Sequence, residues 1–426
     1  MNKLIFDILG FKWIFLSILI IVLTGLGGGF ELASIIFLIF LFLFKGINKI
    51  EFLFITLFTV FFLADNYQNF SFLDNLRFVV LPSSVVVLWK YNLFYKNFGN
   101  FFIPFTIIAV SVSFFSNLGV QSILRSLAFL IVPLVIFKFV SLLYSYNSIR
   151  TSEIIITFLF IYFSINLLFF FFPFINVYTD GRFRGLTGNP NGLGMICYFC
   201  YCILTLISRR NLTTYTPYFF FIFKLILLIL IIITSSRTSL IALLAFESFV
   251  RFINFNKFLL SVTFLFLIVI STSINFSSLV QSLGLSSFLR VDSIVDFSGR
   301  LEVWNVALEE IKSFLLFGNG MSYDIFFIND YADRFVNSNE RHWSGIWNSY
   351  LSLLLNVGVV GLVAYFYFWI KIYNKPSFSN LSFPFVFGCL LIGITESWMN
   401  ASMNAMTPLM LLFWAIQTCY IKKNIF

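Results

Sequence analysis

Apolar stretches recur along almost the whole chain, parted by short polar connections. Hydrophobic residues fill 60% of the 426 positions and charged residues only 11%, with a mean hydropathy of +0.97. Lipid offers no partner to an exposed backbone N–H or C=O, so such a chain must satisfy its backbone internally. Spans this apolar then read as an all-α, polytopic transmembrane helix bundle. The expected spans are 12–26, 31–44, 52–63, 77–89, 101–115, 123–140, 154–174, 193–207, 218–234, 238–252, 258–274, 350–372, 381–399 and 407–421. Several fall short of the roughly 20 residues that cross a bilayer, which sets the total at about 12–14.

Threading those spans separates the charges. Lys3, Lys12, Lys45, Lys49, Lys90, Lys96, Lys257, Lys371, Lys375, Lys422 and Lys423 fall on the side where the chain starts, and Lys312 falls opposite. Lys138 and Lys224 lie within apolar text and can snorkel to the starting side. The starting side then carries roughly +13 and the far side roughly −4, which together give the formal +9. By the positive-inside rule the starting side, with both termini, is cytoplasmic. The basic groups sit in short loops between spans, so the positive charge reports topology and argues against nucleic-acid binding. Met1-Asn2-Lys3 and the apolar run after it have no small-residue cleavage site behind them and read as a retained first span. Cys197, Cys200, Cys202, Cys389 and Cys419 all fall inside spans, where packing accounts for them better than a disulfide framework or a metal site.

Two outer connections exceed what a hairpin between spans needs. The first, 175–192, is rich in turn formers: Asn-Val-Tyr-Thr-Asp-Gly-Arg-Phe-Arg-Gly-Leu-Thr-Gly-Asn-Pro-Asn-Gly follows its opening isoleucine. The second, 275–346, has no stretch long enough to cross a membrane. Within it an amphipathic helix is predicted from Ser298 to Phe317, with Leu301, Trp304, Leu308, Ile311 and Leu315 as its apolar face and Gly318-Asn319-Gly320 as its stop. That helix is expected to lie along the outer surface or cap a cavity. The chain therefore divides into N-terminal spans (1–174), a central region with both outer loops (175–372) and C-terminal spans (373–426).

The far side uses arginine almost to the exclusion of lysine, and a planar guanidinium recognises phosphate with paired donors. Arg182 and Arg184 lie in the glycine-rich loop, Arg237 in Ser235-Ser236-Arg237-Thr238-Ser239, and Arg300 opens the predicted helix. A lipid diphosphate is an anion that two or three such groups could hold, at roughly 1.5–3 kcal/mol for each charge-assisted bond. Any one of them could equally pair with a nearby acid or anchor a span. Asn189-Pro190-Asn191-Gly192 reads as a helix N-cap whose free N–H groups could also meet an anion or a sugar hydroxyl.

These pieces together resemble the O-antigen ligase and polymerase superfamily. Arg182-Phe183-Arg184-Gly185-Leu186-Thr187-Gly188-Asn189-Pro190-Asn191 is similar to the family's signature before a span. Ser235-Ser236-Arg237-Thr238-Ser239 is similar to its Ser-Arg turn, and Ser298-Gly299-Arg300-Leu301 with Trp304 to its helix in the large periplasmic loop. Asn348-Ser349-Tyr350-Leu351 followed by Gly358-Val359-Val360-Gly361-Leu362 is similar to the motif that closes that loop. The resemblance covers 182–362 and implies a metal- and cofactor-independent GT-C-like membrane glycosyltransferase of the bacterial inner membrane, working on the periplasmic face. It further implies a donor glycan on undecaprenyl pyrophosphate, with Arg182, Arg184, Asn189, Asn191, Arg237 and Asn348 as substrate-binding residues. Arg300 and a general base, His342, would be catalytic, and a flippase and a chain-length regulator of the same pathway would be partners. Ligases of the family place a histidine directly before the motif asparagine; this chain has Trp347 there, with its single histidine at His342. Glu302, Glu340 and Glu396 are alternative bases. The departure favours an O-antigen polymerase over a ligase that transfers glycan to lipid A core. A transporter or flippase of lipid-linked sugar is the reading from another class, and it predicts broken helices or ionisable groups at mid-membrane depth, which this sequence does not display. A purely structural membrane protein is a third.

Overall fold

The computed structural model describes residues 29–173, 175–179, 181–252, 261–264, 300–335, 341–374 and 380–419, without the side chains of residues 67–69, 341 and 342. In chain order its helices are α1 (Gly29–Leu43), α2 (Gly46–Leu63), α3 (Tyr67–Trp89), α4 (Ile103–Phe114), α5 (Val120–Phe171), α6 (Pro190–Arg209) and α7 (Pro217–Ile233), then α8 (Arg237–Arg251), α9 (Arg300–Ser313), α10 (Tyr323–Phe335), α11 (Ser349–Tyr373), α12 (Ser382–Thr395) and α13 (Met406–Cys419). One hairpin of two short strands, β1 (Tyr178–Thr179) and β2 (Arg182–Phe183), completes the described residues. The fold is thus the all-α polytopic bundle expected from the sequence. Among the described residues five helices are long and apolar enough to cross a membrane: α2, the Phe70–Trp89 part of α3, α5, α6 and α11. Shorter apolar helices are α1, Phe98–Phe114, α7, α12 and α13. The expected span 12–26, and 258–274 apart from 261–264, lie outside the described residues.

Two compact units make up the chain. The first comprises Met1–Asn97, Val132–Thr234 and Met403–Phe426. Its centre is α2, in which every residue from Ile50 to Leu63 is buried, as a helix apolar on all sides requires. Glu51 is buried there too, and its carboxylate accepts two bonds from Arg150, from Nε at 2.9 Å and Nη2 at 3.0 Å. That fork sits beside the interruption of α5 at Asn147, where the sequence places the connection between two spans. In α6, Cys197, Cys200 and Cys202 are buried and form no disulfide.

The second unit comprises Phe98–Ile131 and Ser235–Ser402. The expected span 238–252 is α8, made less apolar than its neighbours by Arg237 and the Glu247–Arg251 pair at 3.1 Å. The long connection 275–346 is more structured than the sequence suggests: its described residues include the helices α9 and α10 and a 3-10 turn at Arg341–Ser344. Val303, Ala307 and Ile311 of α9 pack on Ile328 of α10, on Trp343 and Ile346, and on Leu355 of α11. The expected apolar face of α9 is corrected accordingly. Leu301, Leu308 and Leu315 stay exposed while the smaller Val303 and Ala307 turn inward, because close helix approach favours small side chains over leucine. The predicted helix also ends earlier, at Ser313.

A second correction concerns α11. It is broken at Gly358 (φ 65°, ψ −172°), ten residues past its cap at Asn348, or roughly 15 Å along the axis. The break frees backbone groups that lipid cannot satisfy, and the segment 315–320 of the outer loop supplies their partners. Val359 N and Val360 N donate to the carbonyls of Leu315 (2.9 Å) and Leu316 (3.1 Å). Asn319 N and Gly320 N donate to those of Leu355 (2.9 Å) and Asn356 (2.8 Å). Gly318-Asn319-Gly320 is therefore a docking segment rather than a helix stop. A Cβ on Gly318 would come within 2.5 Å of Val357 N, and one on Gly358 within 2.3 Å of the Leu316 carbonyl.

Candidate functional site

In the first unit the glycine-rich loop folds around its two arginines. Tyr178 pairs with Phe183 and Thr179 with Arg182, with Gly181 at φ +69° in the turn. Arg184 is only 3% exposed. Its Nη1 donates to the Gly188 carbonyl (3.3 Å) and its Nη2 to that of Asn176 (2.9 Å), stitching the two flanks of the loop. Burial pulls its pKa below the ordinary arginine value. Arg182 reaches to the end of α7, where Nε and Nη2 donate to the Thr234 carbonyl at 3.1 and 2.8 Å. A cation at a helix C-terminus is favourable. The same Nη2 donates to Asn191 Oδ1 at 2.7 Å. Asn189 caps α6, its side chain accepting from Gly192 N at 2.7 Å, with Pro190 in the first turn as the sequence predicts. Gly185 (φ +57°) allows Asn166 to approach, and Asn166 Oδ1 accepts from Leu186 N at 2.8 Å.

In the second unit a different cluster forms where α8, α9, α11 and α12 present their ends. Arg300, the first residue of α9, donates through Nη1 to the Thr395 carbonyl and through Nη2 to Glu396 Oε1 at 3.3 Å. Its guanidinium also lies 5.9 Å from the centre of a Trp347 ring, a cation–π distance. Arg237 begins α8, half-buried, and its neighbour Thr238 meets Thr395 with the two hydroxyls 2.7 Å apart. Thr395 thus touches both arginine-bearing elements. Asn348 caps α11, accepting from Tyr350 N (2.9 Å) and Leu351 N (3.1 Å). The next residue, Ser349, donates its hydroxyl to the Glu396 carbonyl at 2.6 Å and accepts from Met399 N at 3.2 Å. The backbone around Glu396 is held from two sides, and Glu396 itself is 5% exposed.

The sequence-predicted residues accordingly fall into two groups. Arg182, Arg184, Asn189 and Asn191 share the loop of the first unit, and Arg237, Arg300 and Asn348 share the cluster of the second. His342 sits in the 3-10 turn Arg341–Ser344, and its side chain, like all of Glu340, lies outside the described residues. Glu302 is on the exposed first turn of α9. Sequence reasoning missed Asp324, Asn356 and Asn400, which hydrogen-bond to one another within the second unit. The available signal was polar residues in apolar text: Asn356 inside an expected span and Asn400 just past the end of another.

A cluster of this kind carries two arginines, one paired carboxylate and one capped helix start, and suits binding of a multiply charged anion beside a group able to take a proton. Among the described residues no group of three or more histidine, cysteine or acidic side chains is placed to hold a metal ion. No curated protein matches the chain in sequence. Residues 222–366 match a family model described as O-Antigen ligase, a stretch that contains Arg237, Arg300, Trp347 and Asn348. That match supports, for this stretch, the resemblance to the O-antigen ligase and polymerase superfamily that the motifs suggest.

Proposed function

We propose that the chain is an O-antigen polymerase. It would join oligosaccharide repeat units linked to undecaprenyl pyrophosphate on the periplasmic face of the bacterial inner membrane. The observation that carries this reading is the Arg300–Glu396 pair, with Arg237 on the element beside it. An incoming diphosphate competes with Glu396 for Arg300, and Arg237 adds a second cation. Binding then frees the Glu396 carboxylate to take the proton from the attacking sugar hydroxyl. The glycosidic carbon–oxygen bond to the diphosphate breaks as the new one to the acceptor oxygen forms, and both arginines stabilise the charge on the departing diphosphate. Arg182, Arg184, Asn189 and Asn191 keep a proposed substrate-binding part in the loop of the first unit. His342 is the alternative base. Trp347, standing where the resemblance places a ligase histidine, favours a polymerase.

The break in α11 is the feature that would suit a transporter. Its freed backbone groups are already paired with segment 315–320, which supports a structural part for it instead. Gel analysis of surface polysaccharide from a deletion strain tests the proposal. Core capped with a single unit is the expected result. Naked core with long lipid-linked polymer would indicate a ligase, and precursor trapped inside the cell would indicate transport. Reporter fusions that place residues 181–188 and 300–313 in the cytosol would overturn it.

A further inference from the structure

The Asp324 carboxylate is 2% exposed and takes no part in the chemistry proposed above. It lies in the first turn of α10, where the helix dipole favours negative charge. Its Oδ1 accepts from Asn356 Nδ2 at 3.0 Å, and its own N–H donates back to Asn356 Oδ1 at 2.9 Å. Asn356 is fully buried two residues before the break in α11, and its carbonyl is taken by Gly320. The other oxygen, Oδ2, accepts from Asn400 Nδ2. Asn400 ends the turn that begins at Glu396. In that turn Glu396 is extended (φ −142°, ψ 139°) and Trp398–Asn400 form a single 3-10 turn. One carboxylate thus ties together an outer-loop helix, a broken membrane helix and the short segment bearing the acid that pairs with Arg300.

We propose that Asp324 is a positioning residue for Glu396, acting through Asn400 and the Glu396–Asn400 turn; this rests on the assignment of Glu396 to the reaction. The polar links on that turn include Ser349 to the Glu396 carbonyl, Met399 N to Ser349, Arg300 to Glu396, and Asn400 to Asp324. The first two fix backbone, and the third opens when diphosphate claims Arg300. Asp324 is an anchor that remains on the side-chain face of the turn during transfer. An amide at position 324 can keep the arrangement, because its oxygen still accepts from Asn356 and its NH2 can donate to a flipped Asn400 amide. Removing the side chain cannot.

The test uses the full-length protein in a deletion strain, with three measurements: the surface-polysaccharide ladder, protein level in the membrane, and binding of undecaprenyl pyrophosphate to purified protein. Asp324→Ala should lower the ladder at least tenfold, with undecaprenyl pyrophosphate binding within threefold of wild type. Asp324→Asn should restore the ladder to within threefold. Should Asp324→Ala fail to accumulate, the half-buried Asn400→Ala carries the test with the same expected pattern. A full ladder in the accumulating alanine variant overturns the proposal. So does an Asp324→Asn protein at normal level that is as defective as alanine, since the charge itself would then be needed. The site reading fails separately: a full ladder in Glu396→Gln removes Glu396 from the reaction whatever Asp324 does.

Discussion

Arg300 and Glu396 meet at 3.3 Å although 96 residues separate them in the chain. Both are largely shielded from solvent, at 17% and 6% side-chain exposure. Removing either partner outright would leave a mostly buried charge unmatched, at a cost of about 3–5 kcal/mol in stability. Conservative variants separate chemistry from folding. Arg300→Lys keeps the charge and loses the paired donors, and Glu396→Gln keeps the shape and loses the basicity. Arg300→Lys should leave protein in the membrane near wild-type level, and Glu396→Gln somewhat less, because Arg300 loses its counter-charge. Per molecule of protein the polysaccharide ladder should fall by about 10²-fold or more in both, read on a surface-polysaccharide gel. A wild-type ladder with lysine at 300 would remove the paired-donor part of the site.

Arg184, in the glycine-rich loop, and Arg237, at the start of α8, should divide by burial. Arg184 is enclosed by its own loop, so Arg184→Ala should cost about 2 kcal/mol through the abandoned carbonyls of Asn176 and Gly188. The measurable outcome is less protein in the membrane and a lower Tm in detergent. Arg237→Lys, on a half-buried helix start, should instead leave level and Tm unchanged and weaken undecaprenyl pyrophosphate binding. Equal losses of protein in both variants would contradict this division.

Two glycines at nearly the same φ should respond very differently to alanine. At Gly358 the added Cβ meets the Leu316 carbonyl at 2.3 Å, whereas at Gly181 nothing lies within 4 Å. Gly181→Ala should cost only the left-handed strain of about 1–2 kcal/mol. Gly358→Ala adds a steric clash that pushes segment 315–320 off the break, and should cost several kcal/mol by the standard of other buried overpacking. Thermal unfolding of the two purified variants decides the order.

Asp324 should also leave a mark on the pH dependence of stability. Burial is the largest influence on it and raises its pKa above the ordinary 3.8, against the hydrogen bond from Asn356 and the field of Arg125, which lower it. The folded state therefore holds this proton more tightly than the unfolded chain. The stability it confers is full below about pH 4 and is lost as the pH rises through the folded-state value. Asp324→Asn removes that titration. The Tm of the wild type minus that of the variant should thus fall as the pH is raised from 4, and a difference that rises would show a depressed pKa instead.

Much of the architecture was legible because lipid imposes a simple rule. The spans in α2, α6 and α11 are long apolar runs that can satisfy their backbone only as helices. Local capping chemistry was equally legible: Asn189 and Asn348 accept from N–H groups two or three residues ahead, so sequence spacing alone predicts them. The face of α9 was legible only in part: Ile311 and Trp304 pack inward as the sequence suggests, but Leu301 and Leu308 do not. Its leucines repeat at helical spacing, but in a membrane protein an exposed leucine costs nothing where lipid can meet it, so periodicity marked the packed side only partly. The packed side is set by how closely α9, α10 and α11 approach, which favours Val303 and Ala307.

The sequence by itself determined the class of fold, the family of the stretch 222–366 and the arginine-bearing segments, since each follows from composition or from residues close in the chain. Only the tertiary structure decided which of those segments meet. It paired Arg300 with Glu396, filled the break at Gly358 with the backbone of a distant loop, and buried Asp324 between Asn356 and Asn400. A charge or a freed carbonyl inside a low-dielectric protein must find a partner, and its chemistry says what kind but not from where. Packing of the helices supplied that address.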